Sequence, residues 1–338
     1  MTPPETVSNP VRWGIIGCGS IATHAICPAL RWSSLASLHA VASRNEESAR
    51  YKAREIKAEH AYGSYEELLA DPEIDAVYIG LPNGLHEEWT VKAAQAGKHV
   101  LCEKSLALNS AAARRMVEVC EDANVLLMEA FMYRHHPQWD VVRGVLSEGK
   151  IGEIVMLRAG LFGQLTDTSN HRWSAQLGGG ALYDVTCYGV NAARMIFGRE
   201  PISTVAMADN STRDGVDRTS AALLDFGYGR TAVVTGSLAT FNHQYCDIEG
   251  TRGRIRIRNP FIPGWDRVEV IVEVGMTRDV VEVPGANHYL HMLEHFSLCL
   301  RDRARQLRPA ENGLANVLVC EAIEQAWLSG NLVEVPEV

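Results

Sequence analysis

Along the first third of the chain, short apolar runs alternate with longer stretches whose apolar positions recur at helical spacing. This is the pattern of a doubly wound parallel sheet. Strands are predicted at residues 13–17, 38–43, 76–81, 99–103 and 125–129, and helices at 21–32, 46–56, 65–70, 85–96 and 110–122. After residue 152 the apolar positions alternate with a period of two. Strands are predicted there near 153–162, 219–225, 231–238, 245–249, 254–258 and 268–274, with turn sequences at 226–229 and 251–253. Successive strands without intervening helices imply an antiparallel, largely open sheet. Two helices, near 289–301 and 314–328, finish the chain, and the last is expected to pack back on the first domain. The expected class is α/β: a parallel-sheet domain over residues 1–130, then an α/β domain with a large open, mainly antiparallel sheet over 131–338. One face of the open sheet is expected to meet a second copy, giving a homodimer or homotetramer.

Composition narrows the partners. A chain of 338 residues, 46% hydrophobic and 22% charged, can bury a sizeable core. Its net charge of −9 repels nucleic acid and anionic membrane, which leaves small molecules as the expected partners. Apolar runs such as Val125, Leu126, Leu127 and Met128 are too short to span a bilayer, and residues 1–10 lack the apolar core of a signal peptide, so a cytoplasmic location is expected. The eight cysteines are scattered with no Cys-x-x-Cys pair and read as reduced, buried small hydrophobes. His288, His291 and His295 have helical spacing, but no Cys or Asp cluster accompanies them and no metal is expected. The charged clusters Glu46-Glu47 and 301–305 read as solvated helix faces.

Gly17-x-Gly19-x-x-Ala22 follows an apolar strand and opens a helix, the context in which this spacing binds a dinucleotide. Gly17 permits the tight turn, Gly19 lets the backbone approach a pyrophosphate, and Ala22 stands where helix and strand pack closely. Cys18, Ser20 and Ile21 complete the loop. The second strand ends in Ser43-Arg44 without the acidic residue that would accept from a ribose 2′-hydroxyl. A guanidinium and a hydroxyl suit a 2′-phosphate, so NADP is expected over NAD.

Hydride transfer from an alcohol carbon needs a base for the hydroxyl proton, and the reverse needs an acid. Lys104, beside Glu103, lies just past a strand's carboxyl end, where open α/β sheets bind ligands. After the run Gly178, Gly179 and Gly180, Asp184 and Tyr188 are four residues apart and share a helix face, which Asn191 continues. Arg172 and Trp173, in the polar loop before the glycines, are candidates to contact the cofactor or stack on a sugar; packing alone is the other reading of Trp173. Leu81, Pro82 and Asn83 with His86 close the 76–81 strand, and His86 reads equally as a site residue or as a structural one.

Over nearly its whole length the chain resembles the Gfo/Idh/MocA oxidoreductases, on residues 11–22, 74–83 with His86, 96–104, 128–138 and 178–188. Within them it is similar to the branch of glucose-fructose oxidoreductase, NADP-dependent xylose dehydrogenase and dimeric dihydrodiol dehydrogenase. The resemblance implies a Rossmann domain, a second domain with an open sheet, and oxidation or reduction of a sugar-like carbinol. It puts the 81–83 loop near the nicotinamide ribose. It implies that Tyr188 is the proton donor or acceptor, that Lys104 lowers its pKa and positions the substrate oxygen, and that Asp184 orients a substrate hydroxyl. Ser105 stands where the family has proline, so the set of Lys104 turns on whether that peptide is cis or relaxes to trans. The expected function is an NADP-dependent oxidoreductase of sugars or polyols, aldose oxidation favoured. Alternatives are a keto-sugar reductase, a non-catalytic NADP sensor and a redox-neutral, NAD-dependent glycosidase.

Overall fold

The structure is a computed structural model that describes residues 9–212, 215–302 and 310–338; residues 1–8 and the basic positions Arg303 and Arg305 lie outside the described residues. The chain divides into two compact units, Met1–Met132 with Asn287–Leu314, and Tyr133–Ala286 with Ala315–Val338.

The first unit is built on six strands: β1 (Val11–Ile16), β2 (Ala36–Ala42), β3 (His60–Tyr62), β4 (Ala76–Ile79), β5 (His99–Cys102) and β6 (Leu127–Glu129). All pair in parallel, in the order β3-β2-β1-β4-β5-β6, the order of a dinucleotide-binding sheet. Central strands are buried on both faces, with Ile15, Ile16, Val77, Ile79, Val100 and Leu101 fully enclosed, so they read as continuous apolar runs. Helices start where side chains accept orphan amides: Asn45 from Ser48, Ser64 from Glu67 and Asn109 from Ala112. Helix His288–Asp302 also belongs to this unit: Phe296 packs on Trp13 with ring centroids 5.0 Å apart, and Ser33 donates to Glu294 at 3.1 Å. The first residues of the last helix, Ala310–Leu314, fall in it too.

The second unit carries nine strands: β7 (Ile154–Gln164), β8 (Ser203–Asp209), β9 (Thr219–Asp225), β10 (Thr231–Ser237), β11 (Ala239–Gly250), β12 (Gly253–Ile257), β13 (Val268–Val274), β14 (Thr277–Val283) and β15 (Val333–Glu334). They run β14-β13-β12-β11-β7-β10-β9-β8-β15, with only β7 and β10 parallel. The α/β class with a parallel sheet and a mainly antiparallel one is therefore as expected. Strands β3, β8, β14 and β15 and the helix Gln138–Ser147 are additions to the sequence reading. Helix Cys187–Phe197 covers one face so closely that a Cβ on Gly189 would lie 3.1 Å from Val234. Across the other face Leu223, Val233, Arg158, Asp247, Arg256 and Ile271 stand in register. Among the described residues, no helix is long and apolar enough to cross a membrane.

Candidate active site

The glycine loop of the first unit is shaped by its neighbour strand. Gly17 has φ +91°, and a Cβ there would fall 2.9 Å from the Gly80 carbonyl oxygen and 2.7 Å from Leu81. Both conformation and space demand glycine. At Gly19 neither does: a Cβ would meet only the Gly80 oxygen at 3.7 Å, an ordinary contact, while Gly19, Ser20 and Ile21 are exposed. The room that glycine leaves there faces outward at a helix start, which fits a pyrophosphate on free amides. The Cys18 thiol, pushed up to about 11 by burial, is protonated and donates at 3.5 Å to the carbonyl of Ala42, tying the loop to the end of β2. There Ser43 is half-buried with its amide on the Tyr62 carbonyl, and Arg44 is exposed.

Behind the loop, the 81–83 segment and Lys104 are locked by one imidazole. His86 is fully enclosed, with Nδ1 at 2.9 Å from the Ser105 carbonyl and Nε2 at 2.8 Å from the Leu81 carbonyl. Burial, more than any other influence, lowers its pKa, and the charge of Lys104 acts in the same sense. A neutral ring can donate to one of these carbonyls at a time. His86 thus lies fully enclosed between the two segments, the arrangement its structural reading expects. Leu81, Pro82 and Asn83 are half-buried, and Asn83 begins a short 3-10 turn into the helix His86–Gln95. Glu103 accepts from the buried Tyr78 hydroxyl at 2.7 Å and from the Lys104 amide at 3.2 Å. Lys104 is half-buried, and the Lys104–Ser105 peptide is cis.

In the second unit the structure brings Arg172 to Asp184. Asn170 caps a 3-10 turn over His171–Trp173 by accepting from the Arg172 amide, and Arg172 Nε donates to Asp184 Oδ2 at 2.8 Å. Trp173 donates from its indole to the Asp167 carbonyl at 3.1 Å. Gly179 and Gly180 thread a gap with no room for side chains: a Cβ at Gly179 would lie 2.2 Å from the Arg172 carbonyl, and one at Gly180, φ +102°, 2.2 Å from Asp217 Oδ1. Tyr188 is buried against Phe261 and Tyr133, at 5.4 and 5.9 Å between centroids, and Tyr133 donates to Asn191 at 2.7 Å.

Two features were not foreseen. Asp184 lies in a π-helical turn, Leu182–Thr186, before the α-helix that carries Tyr188, and the dinucleotide loop likewise opens on a π-helical turn, Ala22–Ile26. Such turns concentrate at functional sites. Asp217 is the second: its Oδ2 accepts from the Leu182 amide at 2.8 Å, its carbonyl accepts from Ala181, and burial pushes its carboxyl up to about 6. In the sequence its only signal is an aspartate just ahead of a regular strand, and it is a weak one.

A parallel sheet in this strand order with an outward-open glycine loop, in one chain with a helical segment bearing a carboxylate and a phenol, defines a dinucleotide-dependent oxidoreductase. The chain belongs to the GFO/IDH/MocA family: residues 11–131 match its oxidoreductase, NAD-binding Rossmann fold, and residues 139–256 its C-terminal domain. It is 39% identical over 253 residues to D-xylose 1-dehydrogenase (NADP(+)) 2 of Haloferax volcanii, covering 74% of this chain and 77% of that one. It is 32% identical to trans-1,2-dihydrobenzene-1,2-diol dehydrogenase of Xenopus laevis, over 93% and 97% of the two chains. Among solved structures it is similar to KijD10, a 3-ketoreductase from Actinomadura kijaniata in complex with NADP and TDP-benzene, with TM-score 0.89, 31% identity and coverage of 94% and 98%.

Proposed function

We propose that this protein is an NADP-dependent oxidoreductase acting on a carbinol carbon of a sugar or related polyol, working as an aldose dehydrogenase. The observation that carries the reading is the open glycine loop beside a β2 end that offers Ser43 and an exposed Arg44 in place of a carboxylate. Backbone amides at Gly17, Cys18, Gly19, Ser20, Ile21 and Ala22 would hold the pyrophosphate, and Ser43 and Arg44 the 2′-phosphate. Bound NADP supplies the hydride acceptor. Tyr188, as the phenolate, takes the proton from the reacting alcohol and becomes the neutral phenol. Lys104 holds the substrate oxygen and favours the phenolate by its charge. Asp184, steadied by Arg172, accepts from a substrate hydroxyl. The names of the xylose dehydrogenase and dihydrodiol dehydrogenase relatives support the oxidative direction. The NADP-bound 3-ketoreductase supports a second reading, reduction of a keto-sugar with the same groups run in reverse.

The test is nicotinamide absorbance on mixing the protein with NADP and aldoses, polyols or cyclic diols, repeated with NADPH and keto-sugars. Reduction of NADP by an aldose is expected. A signal only with NADPH and keto-sugars selects the second reading, and silence in both panels despite NADPH binding overturns both in favour of a sensor or a redox-neutral glycosidase.

The reading includes a homo-oligomer formed through the outer face of the nine-stranded sheet, where Val205, Leu223 and Val280 are exposed. Light scattering should report a dimer or tetramer that Leu223→Glu dissociates; a monomeric wild-type protein would refute this interface.

A further inference from the structure

Strands β2 and β3 carry a cluster that the dinucleotide chemistry does not use. His39 is buried in β2, and each of its ring nitrogens faces a carboxylate, Nδ1 at 3.3 Å from Glu59 Oε2 and Nε2 at 3.1 Å from Asp71 Oδ2. His60 opens β3 and sets its ring against that of His39, with centroids 4.7 Å apart. A donor atom from each of His39, Glu59 and His60 lies within 4.8 Å of the other two.

The backbone holds these three together. Ala40 pairs with His60 across the parallel ladder, and the Glu59 amide donates to the His39 carbonyl at 3.1 Å. Two of the side chains are exposed, Glu59 to 67%, so they have room to move onto a shared ion. Ligand bonds of about 2.0–2.2 Å in a tetrahedron put donors roughly 3.4 Å apart, so closing the set takes about an ångström of side-chain movement. His39 already has the support such a ligand needs. Its far nitrogen meets Asp71, and that carboxylate is itself fixed by the Tyr62 hydroxyl at 2.9 Å and the Glu73 amide at 2.8 Å. A carboxylate on the second nitrogen of a histidine sets the ring and its tautomer for binding through the first.

We propose that His39 Nδ1, Glu59 and His60 form a binding site for a divalent transition-metal ion, with Asp71 positioning His39. Two imidazoles and one carboxylate suit zinc or cobalt(II) rather than calcium or magnesium, which take oxygen donors. The fourth position is left to water. The ion ties β2 to the three-residue edge strand β3.

The test uses the full chain, stripped by chelator and titrated with zinc chloride by calorimetry, with cobalt(II) as a spectroscopic probe of four-coordinate geometry. One equivalent is expected to bind and to raise the melting temperature. His60→Asn and Glu59→Gln alter exposed side chains, so their metal-free melting curves should match the wild type while affinity falls at least tenfold. Asp71→Asn should weaken binding by about tenfold without removing a ligand. Equal affinity in wild type, His60→Asn and Glu59→Gln would place the ion elsewhere and overturn the proposal. Failure of the wild-type protein to bind zinc or cobalt(II) would also overturn it.

Discussion

Arg172 donates from Nε to Asp184 Oδ2 at 2.8 Å, so a residue expected to touch the cofactor is committed to the carboxylate expected to orient the substrate. The pair is only partly exposed, 35% and 18% at the two side chains. Arg172→Ala leaves the Asp184 carboxylate without this partner, and a charge-assisted bond of this kind is worth about 1.5–3 kcal/mol when shielded. With partial exposure the expected result is a fall of roughly tenfold in kcat/KM for the sugar, with the NADP dissociation constant near the wild-type value. A loss confined to cofactor affinity would return Arg172 to the cofactor.

Tyr188 and Lys104 are assigned to proton handling, and each can be tested without emptying its place. Tyr188→Phe keeps the ring that packs on Phe261 and Tyr133 and removes only the hydroxyl. Lys104→Met keeps the length of the side chain and removes its charge. Loss of a positioned general acid or base costs about 10²–10⁴ in rate, so turnover should fall by that order in Tyr188→Phe while cofactor titration is little changed. Normal turnover in either variant would strike that residue from the mechanism.

The parallel sheet was legible because its central strands are buried on both faces and leave unbroken apolar runs, such as 13–16 and 76–79. The helix Glu46–Ile56 was legible at both ends through its Asn45 cap and the apolar spacing of Ala49, Ala53 and Ile56. Strand β3 is three residues long, too short to display a period, and β14 is an exposed edge carrying Arg278, Asp279 and Glu282 without alternation. The two π-helical turns change which carbonyl each amide reaches and leave composition untouched, so nothing in Ala22–Ile26 or Leu182–Thr186 announces them. The bonds of Arg172 to Asp184 and of Asp217 to Leu182 cross loops of irregular backbone, where periodicity carries no signal. His39 and His60 meet because β2 and β3 are neighbours, a pairing that no local pattern encodes.

Arg44 tests the choice of cofactor. Its side chain is exposed at the end of β2, so Arg44→Ala should leave the melting temperature unchanged. A guanidinium on a 2′-phosphate contributes about 1.5–3 kcal/mol, hence NADP should bind roughly 10- to 100-fold more weakly and NAD about as before. Fluorescence titration with both cofactors measures this directly, and equal losses would remove Arg44 from the 2′-phosphate site.

Asp217 gives the protein a stability term with an unusual sign. The residue is 5% exposed, and burial lifts its pKa from 3.8 to about 6 against the opposing pull of the Ser220 hydroxyl and the Leu182 amide. An acid whose folded pKa exceeds its unfolded pKa binds its proton more tightly in the native chain. Between those two values the native protein holds more protons than the unfolded one, so this group's contribution falls as pH rises from about 4 to about 6 and is level beyond them. The ionised form above pH 6 costs roughly 3 kcal/mol, at about 1.4 kcal/mol for each tenfold in proton affinity. Asp217→Asn keeps an oxygen to accept from Leu182 and cannot ionise. Relative to wild type it should therefore gain stability as pH is raised from 4.5 to 7.5, most of the gain falling below pH 6. Melting temperatures of the two proteins across that range give the difference, in which other carboxylates cancel. A difference that stays flat, or that closes as pH rises, would mean that the carboxylate accepting from the Leu182 amide is ionised throughout and is held by its hydrogen bonds more strongly than burial opposes them.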